Sequence, residues 1–447
     1  MIPPRVIPPV APLGRIGFMR TFVRNPLEVI PQATYEEDFI AFGGARLPRA
    51  WVTAPSLIKA ILLDEREKFR KITQIRLLSP LLGSGILTSE DAEWKWQRQA
   101  ASPMFRPQEL AAFVPAFVRA AHARLAAWRN APAGSIQEID AEMTRATFDV
   151  ITATLLPSLD ESLAPAIQDS VRALQKSGGW DMLFAATNLP RWLPRPGRAA
   201  GVRAMRRLRA AVATVIGERR ARESDSDDLA RRLMAARDPE SGQAMSDERL
   251  VDNVLTFYLA GHETTAKALT WTLYLLARSP DWAARVHDEI AQVVGDGPVC
   301  AEHLDKLILT QQVLKESMRL YPPVPIMSRQ CVADARIDGH DIKAGTSMLM
   351  PIYAIHRHAR RWDQPDAFIP ERFADEAGIA RYQYMPFGAG PRICIGMAFA
   401  IMEATAMLAT FVQHASFATI EGHEPLPVAR VTLLPKGGMP LRVELRA

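Results

Sequence analysis

Apolar residues recur at helical spacing through most of the 447-residue chain, so the pattern predicts a mainly α protein. The longest such run goes from Asp247 to Arg278. Ser246 suits its N-cap, Asp247 and Glu248 suit its first turn, and Ser279-Pro280 ends it. At 1.5 Å per residue it spans roughly 48 Å, enough to cross a domain. Asp252, His262, Glu263 and Lys267 interrupt it, which excludes a membrane span. Helix follows helix from Pro107 to Leu174, rich in Ala and Leu, and reads as scaffold. Arg203 to Arg222 alternates arginines with Leu208, Val212, Val215 and Ile216, the pattern of an amphipathic helix with a solvated basic face. Met397 to Phe411 is an apolar helical run.

The rest of the chain is more broken. An early helix is predicted near Leu27 to Ala33 and a short one over Pro55 to Leu63, then a loop over Arg70 to Thr88 containing Gly83-Ser-Gly85. Residues 335–350 read as short strands turning at Asp338-Gly339, and Val428 to Leu434 with Pro440 to Glu444 as a closing hairpin around Lys436-Gly-Gly438. The cluster Gln175 to Pro196, with Trp180, Met182, Leu183, Phe184, Leu189, Trp192 and Leu193, suits a lid over a channel, a membrane contact or core equally well. The fold class expected is mainly α with small β-sheets (α+β), as one domain over residues 1–447.

Composition narrows this further. Hydrophobic residues make up 48%, ample for a large core, and no linker or repeat divides the chain. A net charge of +5 is too weak to argue for nucleic acid. Three cysteines, Cys300, Cys331 and Cys394, form no disulfide framework and fit a reducing cytoplasm. The N-terminus has no apolar run of signal-peptide or membrane-anchor type.

The candidate chemistry centres on Phe387-Gly-Ala-Gly-Pro-Arg-Ile-Cys394-Ile-Gly396. Gly388, Gly390 and Gly396 allow a sharp turn, and the helix that follows is expected to hold Cys394 in its first turn, where the dipole favours thiolate. Phe387 is expected to cover the sulfur. A dinucleotide loop is excluded because residue 393 is Ile, and a zinc knuckle because no Cys-x-x-Cys surrounds Cys394. His262-Glu263 lacks a His at 266, so a zinc protease is excluded too. His356 and His358 have no third ligand nearby and read as structural or surface residues. Upstream, Trp94 and Arg98 share a helix face, Ala260-Gly-His-Glu263-Thr264 interrupts the long helix with polar groups, and Glu316 and Arg319 face one way ahead of Arg372.

Five motifs in this order resemble the cytochrome P450 family of haem-thiolate monooxygenases, over most of the chain from about Trp94 onward. The resemblance implies that Cys394 ligates haem b iron and that Phe387, Gly388, Gly396, Ala260 and Gly261 shape the haem site. It implies that Trp94, Arg98, Arg329 and Arg392 hold the propionates. Glu263 and Thr264 would deliver protons, with the Thr264 hydroxyl opening a local groove in the helix. Glu316, Arg319 and Arg372 would form a structural charge network behind the haem. Ile75, Leu78, Leu82, Val324, Ile326 and Met327 are the pocket candidates by the same resemblance. O2 is the cosubstrate, and NAD(P)H electrons are expected through a ferredoxin or flavodoxin and its reductase, with Lys95 and Arg106 in a basic patch that steers this carrier. No reductase domain is expected within the chain. The expected protein is a soluble, cytoplasmic, bacterial-type monomer that hydroxylates or epoxidises a lipophilic molecule such as a fatty acid or terpenoid. A peroxide-driven haem enzyme and a non-catalytic haem gas-binding protein are the alternatives.

Overall fold

A computed structural model describes residues 1–446 apart from 12, 45–47, 133, 156–177, 188, 191, 222–227 and 239. The early helices are α1 (Arg15–Arg24), α2 (Pro55–Lys59), α3 (Ile72–Leu82), α4 (Asp91–Ala101), α5 (Pro107–Ala111), α6 (Val114–Arg129) and α7 (Ile139–Thr154). Next come α8 (178–187), α9 (Arg198–Ala221), α10 (Leu229–Ala235) and α11 (Asp247–Ala277). The last are α12 (Pro280–Val293), α13 (Ala301–Leu304), α14 (Ile308–Leu320), α15 (Ile352–Ile355) and α16 (Met397–His414).

The long central helix forms as its ends predict. Ser246 Oγ accepts from Arg249 N at 3.3 Å, and Ser279 follows the last turn. It is buried on most sides because α7, α9, α14 and α16 pack around it. Trp271 on α11 stacks on Tyr321 at 3.9 Å between ring centroids, in the core shared by α6, α7, α14 and α16.

A five-stranded sheet orders β1 (Phe39–Phe42), β2 (Arg49–Val52), β8 (Ser347–Met350), β5 (Met327–Cys331) and β3 (Phe69–Arg70). Only β2 and β8 run parallel in it. β6 (Ala335–Ile337) and β7 (His340–Ile342) form the expected hairpin, with Asp338 and Gly339 both at positive φ. β4 (Ile136–Glu138), β12 (Pro440–Leu445) and β9 (Ala415–Thr419) form a third sheet, and β10 (Leu426–Ala429) pairs with β11 (Leu433–Lys436).

Four sequence expectations change. The segment read as a loop over Arg70 to Thr88 contains α3; Pro80 lies in its last turns and removes one intrahelical bond without ending it. The first helix is Arg15–Arg24, whereas Pro26 and Pro31 leave 27–33 in two short 3₁₀ turns. The closing hairpin turns at residues 430–432 rather than at Lys436-Gly-Gly438; positive φ at Gly437 and Gly438 sends β12 into a different sheet. The 175–196 cluster divides, with Leu183 and Phe184 buried and Trp192 79% exposed; residues 175–177, 188 and 191 lie outside the described set. Among the described residues one helical stretch, Pro107–Arg129, is long and apolar enough to cross a membrane, and its Phe117, Ala121, Leu125 and Trp128 are packed in the core.

Gly83-Ser-Gly85 after α3 is pressed onto α11. A Cβ on Gly83 would lie 2.1 Å from Asp252 Oδ1, and one on Gly85 2.6 Å from Thr256 Oγ1. Buried Asp252 accepts from Ser84 N at 2.7 Å with Oδ2 and from Arg209 of α9 at 2.6 Å with Oδ1. Ile86 N adds a bond to Asn253 Oδ1 at 2.9 Å.

Candidate active site

The cysteine loop is shaped by its own backbone. Gly388 and Gly390 sit at φ +73° and +69°, and a Cβ on Gly390 would lie 2.4 Å from the Leu62 carbonyl oxygen. Cys394 N donates to the Phe387 carbonyl at 3.0 Å, closing the loop. Phe387 is half-buried against the main core. Cys394 lies two residues before the N-cap Gly396, not in the first turn of α16 as expected, since Gly396 takes the non-helical cap conformation. Cys394 presents exposed surface yet lies deep in the protein, and burial pushes its thiol above the usual range. The Gly396 N–H and the Arg98 guanidinium oppose that effect without cancelling it. A metal cation coordinated by the sulfur would favour the thiolate.

Beside this loop lies a cavity of about 410 Å³. Trp94, Arg329, Arg392 and Lys71 line it. Arg392 stacks over the Trp94 ring at 3.9 Å and donates to Ser89 O at 2.9 Å. Arg98, on the same helix as Trp94, donates to Ile393 O at 2.8 Å and so ties α4 to the cysteine loop. Arg329 is 6% exposed and donates to Ser328 O at 2.8 Å and Gln74 Oε1 at 3.2 Å. Burial lowers both Arg329 and Arg392 to about 10.

Lys71 is the residue that sequence reasoning missed here. Its ammonium donates to Leu87 O at 2.7 Å; burial, followed by Arg329 and Arg392, lowers it to about 7. No motif marks a lone lysine at the start of α3. The cavity lining carries six cations against three carboxylates. Partly desolvated positive charge in this excess calls for an anionic ligand with more than one acceptor group.

Across the site, the middle of α11 comes to the surface at exposed Ala260, with Leu259, Gly261, Glu263 and Thr264 half-buried around it. Thr264 Oγ1 donates to Ala260 O at 2.8 Å, the expected bend toward a backbone carbonyl, within a helix that is continuous from Asp247 to Ala277. Gly261 serves packing: a Cβ there would lie 2.6 Å from Ile151 Cδ1 of α7. Thr147 Oγ1 caps the His262 carbonyl at 2.8 Å, and burial lowers the His262 imidazole so that it stays neutral. Glu263 Oε1 accepts from Thr432 Oγ1 at 2.9 Å, a contact no motif announces.

Among the pocket candidates, Val324, Ile326 and Met327 keep accessible surface in an otherwise buried segment. Met327 Sδ would touch a Cβ on Gly388 at 3.5 Å, which puts it against the cysteine loop. Ile75 and Leu78 are half-buried on α3, and Leu82 is 5% exposed and presents little surface.

The fold brings Glu316, Arg319 and Arg372 together. Glu316 and Arg319 are fully buried; Arg319 Nε meets Glu316 Oε2 at 2.6 Å and Nη2 meets Oε1 at 2.7 Å. Arg319 also donates to the carbonyls of His356, Pro365 and Ala367, and Arg372 Nε lies 3.5 Å from Glu316 Oε1. His356 carries the network forward: Nδ1 bonds Arg319 O at 3.2 Å and Nε2 accepts from Met385 N at 2.9 Å, two residues before Phe387. Burial drops its imidazole to about 3, so it is a neutral strut. His358, also buried, bonds Glu37 O at 3.4 Å.

These residues fit haem: a soft sulfur ligand, a cationic cavity for two carboxylates, and the small, exposed Ala260 on α11. Residues 32–441 match the family model described as cytochrome P450. The chain is 31% identical to a cytokinin hydroxylase of Arabidopsis thaliana over 420 residues, 91% of this chain and 80% of that protein. It is 30% identical to cyclooctatin synthase of Streptomyces melanosporofaciens over 432 residues, 95% of this chain and 93% of that one. It is 32% identical to putative cytochrome P450 132 of Mycobacterium tuberculosis over 404 residues, covering 87% and 86%. The cysteine loop, the cavity beside it and these matches agree that the chain belongs to the cytochrome P450 family, the haem-dependent monooxygenases.

Proposed function

We propose that this monooxygenase hydroxylates or epoxidises a lipophilic substrate, a fatty acid or terpenoid. In this reading its electrons come from NAD(P)H through a separate ferredoxin or flavodoxin and its reductase. The observation that carries the reading is the joint placement of Cys394 and the cationic cavity in one locality, linked by the Arg98 bond to Ile393 O. Haem, when bound, supplies dioxygen activation, with one oxygen atom going to the substrate and the other leaving as water.

The chain's own residues supply the rest. Cys394 would give the sulfur that holds the haem iron. Trp94, Arg98, Arg329, Arg392 and Lys71 would hold the carboxylates of the cofactor. Glu263 takes protons from solvent, and Thr264, its hydroxyl fixed on Ala260 O, passes them on beside Ala260. Val324, Ile326, Met327, Ile75 and Leu78 give an aliphatic wall suited to a lipophilic body. Lys95 and Arg106 are exposed, with Lys95 on the cavity rim and Arg106 next to Phe105, which packs by Gly396. That placement suits an acidic electron carrier.

Fatty acids and terpenoids are screened by the shift each causes in haem absorption, and those that respond are tested for turnover with ferredoxin and its reductase. Product formed only with the electron partner supports the reading. Turnover with hydrogen peroxide alone, or a carbon monoxide spectrum of imidazole-ligated type, overturns it.

A further inference from the structure

Glu263 is held by a residue outside every motif. Thr432 Oγ1 donates to its Oε1 at 2.9 Å, from a hydroxyl on a residue only 3% exposed. Thr432 stands in the three-residue turn 430–432 between β10 and β11. This turn is fastened on every side. Leu433 N donates to Pro323 O at 2.9 Å, and Trp271 Nε1, two turns further along α11 than Glu263, donates to Leu433 O at 3.1 Å. Arg430 N donates to Thr432 O at 2.9 Å. Asn25 clamps β10 through Pro427 O at 3.0 Å and Ala429 N at 3.1 Å. The anchors fix the position of one hydroxyl relative to one carboxylate.

We infer that Thr432 is a positioning residue for Glu263, aiming the carboxylate that feeds protons to Thr264. This rests on the assignment of Glu263 and Thr264 as the proton path. A hydroxyl has one proton to donate, and giving it to Glu263 restrains one carboxylate oxygen. Without that donor the carboxylate loses one hydrogen bond that sets its direction, and proton delivery slows while the fold and the cysteine loop stay as they are.

The test uses the haem-loaded protein with dioxygen as the probe, driven by a ferredoxin and its reductase without organic substrate. Each dioxygen then takes two electrons and two protons to hydrogen peroxide, or four of each to two waters. Slower proton delivery raises the peroxide share. Thr432→Val is compared with Thr432→Ser, Glu263→Gln and wild type, with the carbon monoxide spectrum checking cofactor ligation in each. Infrared difference spectra of protein carrying ¹³C-labelled glutamate, assigned through Glu263→Gln, report the Glu263 carboxylate directly.

The expected result is a shifted Glu263 carboxylate band in Thr432→Val, a peroxide-to-water ratio raised roughly fivefold, the value of one hydrogen bond, and both restored by Thr432→Ser. An unshifted band, or a shifted band with an unchanged ratio, overturns the inference. A ratio unchanged in Glu263→Gln itself removes the proton path on which it rests; the infrared band then separates that failure from a failure of the Thr432 contact.

Discussion

Glu316→Gln changes one atom in the network behind the cysteine loop, and its cost follows from the contacts. Oε2 accepts from Arg319 Nε at 2.6 Å, and Oε1 accepts from Arg319 Nη2 at 2.7 Å and from Ile369 N at 2.9 Å. All of these neighbours are donors. The glutamine amide must turn its NH₂ toward one side or the other, so it faces at least one donor in either orientation. The guanidinium of Arg319, fully buried, then keeps its charge without a carboxylate. Losing a charge-assisted bond and stranding that charge together cost about 3–5 kcal/mol. Guanidinium unfolding of wild type and variant at matched haem loading, followed by far-ultraviolet circular dichroism, measures this. The variant should unfold at markedly lower denaturant with a similar slope. A loss under about 1 kcal/mol would show that the interior relaxes around the amide and would refute the reasoning.

Three further outcomes are expected. Lys71, lowered to about 7, is partly neutral before an anion binds, and an anion beside it favours the protonated form; haem affinity of the apoprotein should therefore fall as pH rises from 7 to 9, and Lys71→Met should flatten that dependence in a fluorescence-quenching titration. Glu403 is fully buried on α16, and burial pushes its carboxyl well above the usual range. Its proton is therefore kept in the native state and lost in the unfolded one, so stability falls as pH rises through the unfolded value near 4; Glu403→Gln should gain on the order of 1–2 kcal/mol at pH 7 and nothing below pH 4, by thermal unfolding across pH. Thr264→Ala should lower product formed per NAD(P)H consumed with haem still bound, and unchanged coupling would take Thr264 out of the proton path.

Legibility in the sequence followed the range of each interaction. Ser246 and Asp247 act on their own helix, so the start of α11 was readable. Trp94, Arg98 and Arg392 are recognisable because each residue type is tied to a short pattern, although Arg98 proves to bond Ile393 O of the cysteine loop. Lys71, His356 and Thr432 carry no pattern, and their partners lie far along the chain: His356 reaches Arg319 O across 37 residues and Thr432 reaches Glu263 across 169. Pro80 and the glycine pair after it read locally as loop, yet packing of α3 against β5 and α11 overrides that signal. Gly261 looked like space for a ligand and turns out to be space for Ile151, because only the fold says which neighbour stands over a missing side chain.

Asp252 answers the backbone of Ser84 with one oxygen and the guanidinium of Arg209 with the other. The two strips of chain on either side of it are therefore mechanically geared. If α9 tilts away from α11, the carboxylate loses its counter-charge in a dry setting, and the grip on the 83–86 segment loosens in the same motion. A separation of α9 from α11 would therefore be coupled to the 83–86 segment through a single acidic side chain some three turns along the helix from Glu263.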